Sequence, residues 1–144
     1  MSDELTVLGD PVAAVRAKPS IFLGGAPTPE RAMTAIVTEA MVATSGPVTV
    51  LRLEEWWVIH APVDWFGEYE DRLNELFGRI VAFPEGGRNS SRAEIVLTAF
   101  ASMIVAASAS GVRWLKGDAD PADPICEWIR QHPTLRRMVA YRWE

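Results

Sequence analysis

The chain has 144 residues, of which 49% are hydrophobic and 23% are charged, a composition typical of a folded globular protein and not of a disordered chain. Its 14 basic and 19 acidic residues give a formal net charge of −5, which argues against nucleic acid or an anionic membrane surface as a partner. No apolar run is long enough to span a membrane, the acidic first residues do not resemble a signal peptide, and a single cysteine excludes an internal disulfide, so we expect a cytoplasmic protein.

The first 27 residues lack hydrophobic periodicity. They contain five residues that punctuate regular structure: Pro11, Pro19, Gly24, Gly25 and Pro27. The pattern predicts an irregular N-terminal arm over residues 1–27, with at most a short strand at 21–23. Residues 28–144 are then predicted to form a single domain.

Residues 28–45 are predicted to form the first long helix. Thr28 can cap it, Pro29 suits the first helical position, and Gly46-Pro47 ends it. Apolar residues recur at intervals of three and four and mark a buried face: Met33, Ile36, Val37, Ala40 and Met41.

Residues 48–53 and 56–60 are rich in β-branched and aromatic residues and are predicted strands. Glu54 and Glu55 between them form the turn of a hairpin, or the whole segment is one long bent strand. An apolar stripe at helical spacing then predicts a helix over 64–79, followed by a short strand at 80–83 and a loop at 84–91.

Residues 92–108 fit a helix better than a strand. Ser91 and Glu94 match the capping-box pattern, and Glu94, Thr98 and Ser102 are spaced by four, which gives one polar stripe on an otherwise apolar helix. The segment is therefore predicted to be a buried helix to about Ser108. The polar stripe lines an internal cavity or forms the solvated edge of the helix.

The last third of the chain predicts a strand at 112–116, a helix that begins at Asp123-Pro124, and a strand at 136–143. Cys126, within that helix, is interpreted as a core residue. The whole order predicts an α+β fold: a single domain with a mixed or mainly antiparallel sheet of about five strands, packed with about four helices on one or both faces. The strand order stays open.

The loop before the predicted helix at 92–108 is a candidate anion site. Glycines at a helix N-terminus leave backbone N–H groups free, and nearby arginines and small polar side chains add charge and hydrogen bonds. The predicted ligand-binding residues are Arg88, Asn89, Ser90, Ser91 and Arg92. The alternative is an exposed turn whose serine caps the helix.

His60 and Asp64 are candidates for acid–base catalysis, since a carboxylate can orient a histidine that exchanges protons near neutral pH. Alternatively, Asp64 caps the next helix and His60 is a half-buried strand residue. Trp57, in a predicted strand, is a candidate pocket residue. We predict neither a metal site nor a cofactor, because His132 has no ligand partner near it in sequence.

Two functions fit this sequence. The first is a small, acidic, non-enzymatic accessory protein of a bacterial type, similar to an immunity or inhibitor protein, that binds a basic partner protein. The second is a small enzyme or a binding protein that holds an anionic small molecule in a tryptophan-lined pocket. The lack of a known catalytic motif favours binding over catalysis. A homodimer through Trp56, Trp57 or the C-terminal strand is a further hypothesis.

Overall fold

The computed structural model describes residues 9–144. Within them the chain forms six α-helices: α1 (Pro11–Ala17), α2 (Pro19–Leu23), α3 (Pro29–Thr44), α4 (Leu73–Gly78), α5 (Glu94–Phe100) and α6 (Pro124–Arg130). The same residues contain five strands: β1 (Thr49–Leu53), β2 (Trp56–Ala61), β3 (Met103–Ser108), β4 (Gly111–Lys116) and β5 (Arg137–Arg142). The predicted α+β class is confirmed. No helix in the described part of the chain is long and apolar enough to cross a bilayer.

The five strands form one antiparallel sheet in the order β1-β2-β5-β3-β4. β1 and β2 are a hairpin whose register pairs Thr49 with His60 and Leu53 with Trp56, so the hairpin hypothesis is confirmed and the bent strand is excluded. Glu54 adopts a positive φ of 54° to close the turn. β5, the last strand of the chain, takes the centre of the sheet.

Side chains of β5 alternate between two cores. Val139 and Tyr141 pack with Ile36 of α3, and Met138 and Ala140 pack with Ile125 of α6. β5 lies within the segment 136–143 that the sequence predicts to be a strand. Helices therefore cover both faces of the sheet, which explains how a central strand can be apolar on both sides.

The predicted irregular arm with a strand at 21–23 is wrong for the described residues. Asp10 accepts a hydrogen bond from the Val12 amide and caps α1, and Pro11 and Pro19 occupy the first positions of α1 and α2. Prolines that looked like breakers are thus helix starts. Val15 of α1 is fully buried against α5, so this segment belongs to the core. Residues 1–8 of the predicted arm lie outside the described part.

The predicted helix at 64–79 is interrupted. A 3-10 turn (Gly67–Tyr69) precedes the shorter α4, and Gly67 has a φ of 56°, which a continuous α-helix does not permit. The predicted strand at 80–83 is also wrong. Only an isolated bridge joins Ala82 to Ser91, away from the main sheet.

The predicted helix at 92–108 is wrong in its second half. It ends at Phe100, and residues Met103–Ser108 form β3 between β5 and β4. Because β3 is covered on both faces, its sequence does not show the alternation by which half-buried strands are recognised. Ser91 does not cap the helix, whose N-cap position is Ala93 without a side-chain hydrogen bond.

Candidate functional site

A cleft of about 380 Å³ lies between α2, α3 and residues 83–93. This volume falls within the range of small-molecule sites, roughly 300–1,000 Å³. Its larger apolar walls are Phe22, Leu23, Val42 and Phe83. Its polar lining consists of Arg31, Thr34, Thr38, Glu39, Ser90 and Ser91.

One face of helix α3 forms one side of this cleft. Arg31, Thr34, Thr38 and Val42 recur at intervals of three and four, so they share one face of the helix. Thr28 fixes the start of α3 because its hydroxyl accepts a hydrogen bond from the Arg31 amide at 3.1 Å. The result is a row of side chains along the cleft, in which Thr34 and Thr38 carry hydroxyl groups.

A buried cluster of ionisable side chains adjoins the cleft, which it meets through Glu39. Glu39, Arg92 and Glu94 are only 4%, 8% and 0% exposed. Arg92 Nη1 donates to Glu39 Oε2 at 3.2 Å and to the Trp65 carbonyl at 2.9 Å. The Ala93 amide donates to Glu39 Oε1 at 2.6 Å, and the Trp65 indole donates to Glu94 Oε2 at 3.3 Å. The cluster thus joins α3, α5 and the segment after β2.

This cluster has two carboxyl groups and one guanidinium, so with both carboxyls ionised it would bury a negative charge. Burial and the neighbouring Glu94 carboxyl raise the pKa of Glu39 well above its ordinary value, against the opposing effects of the Ala93 amide and Arg92. Glu94 Oε1 is buried and has no hydrogen-bond partner. A proton on Glu39, in keeping with its raised pKa, makes the cluster neutral.

The predicted anion loop is arranged differently from the expectation. Arg92 is buried and already paired with Glu39, and the amide of Ala93 at the start of α5 already binds the Glu39 carboxylate. The protein's own side chain thus occupies the predicted anion position. Ser90 and Ser91 line the cleft, whereas Arg88 and Asn89 are exposed and do not line it.

Asp64 and His60 have separate partners. Arg137 donates to both oxygens of Asp64 at 2.9 Å, and Asp64 also accepts from the Phe66 amide. Asp64 does not cap a helix, because the 3-10 turn that follows has Phe66 at its N-cap position and no side-chain cap. The His60 ring lies beside Trp128, with centroids 5.4 Å apart. Burial and the nearby His132 lower the pKa of His60.

Trp57 lies on the opposite side of β2 from its neighbour Trp56. It stacks on Tyr141 with ring centroids 6.4 Å apart, and the Arg52 guanidinium covers it at 3.9 Å. It borders an open groove near the chain's C-terminus and not the cleft on α3. The three predicted regions around Trp57, His60 and Arg92 are therefore not combined in one site.

Sequence reasoning missed Glu39. Its signal was a carboxylate beside Ala40 and three residues after Ile36, within the predicted buried face of α3. Glu94 was noticed, and its complete burial excludes the solvated-edge alternative for that residue. Of the other two stripe residues, Thr98 has a buried hydroxyl without a partner, and Ser102 donates to the Arg142 carbonyl of β5.

No family model matches the chain, and neither the curated proteins nor the solved structures give a match. Among residues 9–144, no three His, Cys, Asp or Glu side chains are grouped so that they could hold a metal ion. The cleft and its buried cluster are therefore the features that bear on function.

Proposed function

We propose that this protein binds a small organic molecule in the cleft between α2, α3 and residues 83–93. The observation that carries the proposal is the buried Glu39–Arg92–Glu94 cluster beside the cleft. Buried ion pairs seldom stabilise a fold better than well-packed apolar side chains would. Ionisable groups with shifted pKa values at the base of a concave pocket are typical of functional sites.

The lining of the cleft suits an amphipathic ligand. Phe22, Leu23 and Phe83 offer apolar surface to the body of a molecule, while the hydroxyls of Thr34 and Thr38 can orient its polar groups. Hydroxyl groups both donate and accept hydrogen bonds, so this row does not by itself select the sign of a ligand's charge. The anionic ligand expected from the sequence is therefore one of the ligand classes to be tested.

The proposal is tested by screening fragments of cationic, neutral and anionic classes with two-dimensional NMR. We expect at least one class to shift the amide resonances of cleft residues. Thr38→Phe, which fills the cleft from the exposed side of α3, should abolish these shifts. Ala43→Phe places the same ring on an exposed α3 position outside the cleft and should leave them intact. Shifts that survive Thr38→Phe, or no binding from any class, would overturn the proposal.

Binding of a partner protein is a second candidate, and one observation favours it. Both edge strands of the described sheet are unpaired on their outer sides, and each exposes a valine: Val50 on β1 is 49% exposed and Val112 on β4 is 52% exposed. Open edges with apolar side chains can accept a strand from another chain.

The edge-strand candidate is tested with Val50→Lys and Val112→Lys, separately and together. Light scattering should show a homodimer that one of these variants dissociates, or affinity capture should retain a basic protein on the wild type that the double variant loses. Thr49→Lys, at an already polar exposed position of β1, is the matched control. A monomeric wild type whose captured proteins are identical to those of the double variant would rule this candidate out.

A further inference from the structure

We propose that the ligand of the cleft carries a protonated amine or an amidinium group, which binds against Glu39 and supplies the positive charge that the Glu39–Arg92–Glu94 cluster lacks. This inference rests on the proposed function and names the ligand class for the same site.

The charges within the Glu39–Arg92–Glu94 cluster are unbalanced. Two carboxyl groups face a single guanidinium, so the cluster lacks one positive charge when no proton is present. The other groups packed against Glu39 are neutral: the Ala93 amide from α5's first turn and, through Arg92, the Trp65 carbonyl. A cation from outside can supply the missing charge as well as a proton can.

A ligand in the cleft can reach the cluster only through one of its residues. Glu39 lines the cleft, whereas Arg92 and Glu94 are not among the cleft's lining residues. A ligand in the cleft therefore meets the cluster through Glu39. Glu94 Oε1, in the same cluster, is buried and has no hydrogen-bond partner. A buried carboxylate oxygen without a partner is costly, so a proton or a neighbouring cation stabilises the cluster.

The surroundings favour an organic cation over an anion. Arg31 is the other charged side chain in the lining, and it lies eight residues away on α3, about 12 Å along the helix axis. Its guanidinium packs over Gly25 and donates to the Ala26 carbonyl at 3.2 Å, so it is held at the far end of the cleft. An ammonium group near Glu39 can also donate to the hydroxyls of Thr38 and Ser91, and Phe22 and Phe83 suit an apolar body.

Proton exchange follows from this mechanism. The amine enters with its own proton and forms a hydrogen bond and an ion pair with Glu39. The proton on Glu39 leaves for solvent, so one cation replaces another and the charge of the cluster is unchanged. Affinity should then rise with pH, by up to tenfold per pH unit on the acid side of the titration of Glu39.

The experiment uses three ligands of one shape: phenethylamine, 2-phenylethanol and phenylacetate. Calorimetry in buffers of different ionisation enthalpy measures the protons released, and NMR shifts of α3 amides confirm the site. We expect phenethylamine to bind at least tenfold more tightly than the alcohol at pH 8, and to release protons on the acid side of the Glu39 titration, where Glu39 still holds its proton. Glu39→Gln should remove both the preference and the proton release. Glu30→Gln, an exposed change on the same helix, should remove neither.

Two failures are distinguishable. If the alcohol or phenylacetate shifts the cleft resonances as strongly as the amine, or if the amine binds without proton release on the acid side of the Glu39 titration, the inference is wrong while the cleft remains a binding site. If none of the three ligands shifts the cleft resonances in the folded wild type, the inference is overturned. The proposed function then stands or falls on the wider fragment screen. Amide spectra of Glu39→Gln show whether the variant keeps the native fold.

Discussion

The Glu39 carboxylate accepts a hydrogen bond of 2.6 Å from the backbone amide of Ala93, a residue 54 positions further along the chain. This contact joins the third turn of α3 to the start of α5. Amides at a helix start have no partner within the helix, so a carboxylate there is stabilising. The same carboxylate holds the buried Arg92, and Glu39 also lines the cleft, so one residue connects the fold to the proposed site.

Replacing Glu39 by glutamine should change how stability depends on pH. Because the pKa of Glu39 is raised in the folded protein, the fold binds this proton more tightly than the unfolded chain does. The stabilisation is full below the ordinary value of 4.5 and is lost as pH rises through the raised pKa. Glutamine keeps a hydrogen-bond donor at every pH.

We therefore expect Glu39→Gln to gain stability relative to wild type as pH rises from 5 to 9, by about 2 kcal/mol at the alkaline end. Urea unfolding at several pH values measures this difference, and Glu30→Gln serves as the control. Parallel stability curves for wild type and Glu39→Gln would show that folding does not raise the pKa of Glu39.

Removing the buried guanidinium should be strongly destabilising. Arg92→Met leaves both carboxyls of the cluster without a counter-charge and takes a donor away from the Trp65 carbonyl, at an expected cost of about 3–5 kcal/mol. Arg88→Met, an exposed change in the same loop, should stay within about 0.5 kcal/mol of wild type. Adding Glu39→Gln to Arg92→Met should recover part of the loss, because the two residues interact directly. Equal effects of the two arginine variants would contradict the buried pair.

His60 should titrate below the ordinary pKa of a histidine. Burial and the neighbouring His132 lower the pKa of His60, so the fold favours its neutral form. Its contribution to stability is present above the ordinary value of 6.5 and is lost as pH falls through the lowered pKa.

An NMR titration should give a midpoint for His60 below 6.5, and His132→Gln should move that midpoint upward. The rings of His60 and His132 are 6.5 Å apart, close enough for this coupling. A midpoint at or above 6.5 in the wild type, or no response to His132→Gln, is the opposing result.

The hairpin turn offers a test of backbone conformation. Glu54 has a positive φ of 54°, a region where glycine pays no steric penalty, so Glu54→Gly should stabilise the fold by roughly 0.5–1 kcal/mol. Glu55 is not among the residues of positive φ and forms an ion pair with Arg142, so Glu55→Gly should destabilise it. Thermal unfolding of the two variants measures the contrast, and a loss of stability in Glu54→Gly would show that the turn is formed differently.

The sequence by itself determined the elements whose stabilising contacts are local. Thr28 and Asp123 accept hydrogen bonds from amides two or three residues away, which fixes the starts of α3 and α6. The β1–β2 hairpin joins neighbouring segments, and the alternating side chains of β5 show its two buried faces. Such interactions can be identified from a short stretch of sequence because every partner lies within it.

The tertiary structure decided everything that depends on distant partners. Residues Met103–Ser108 are a strand because β5, more than thirty residues later, pairs with them at the centre of the sheet. Arg92 looked like an anion ligand because nothing in its own loop shows that Glu39, 53 residues earlier, neutralises it. Composition and periodicity show that a side chain will be buried or charged. Only the packing of α3 against α5 shows which charges meet, and that meeting defines the cleft and its proposed cationic ligand.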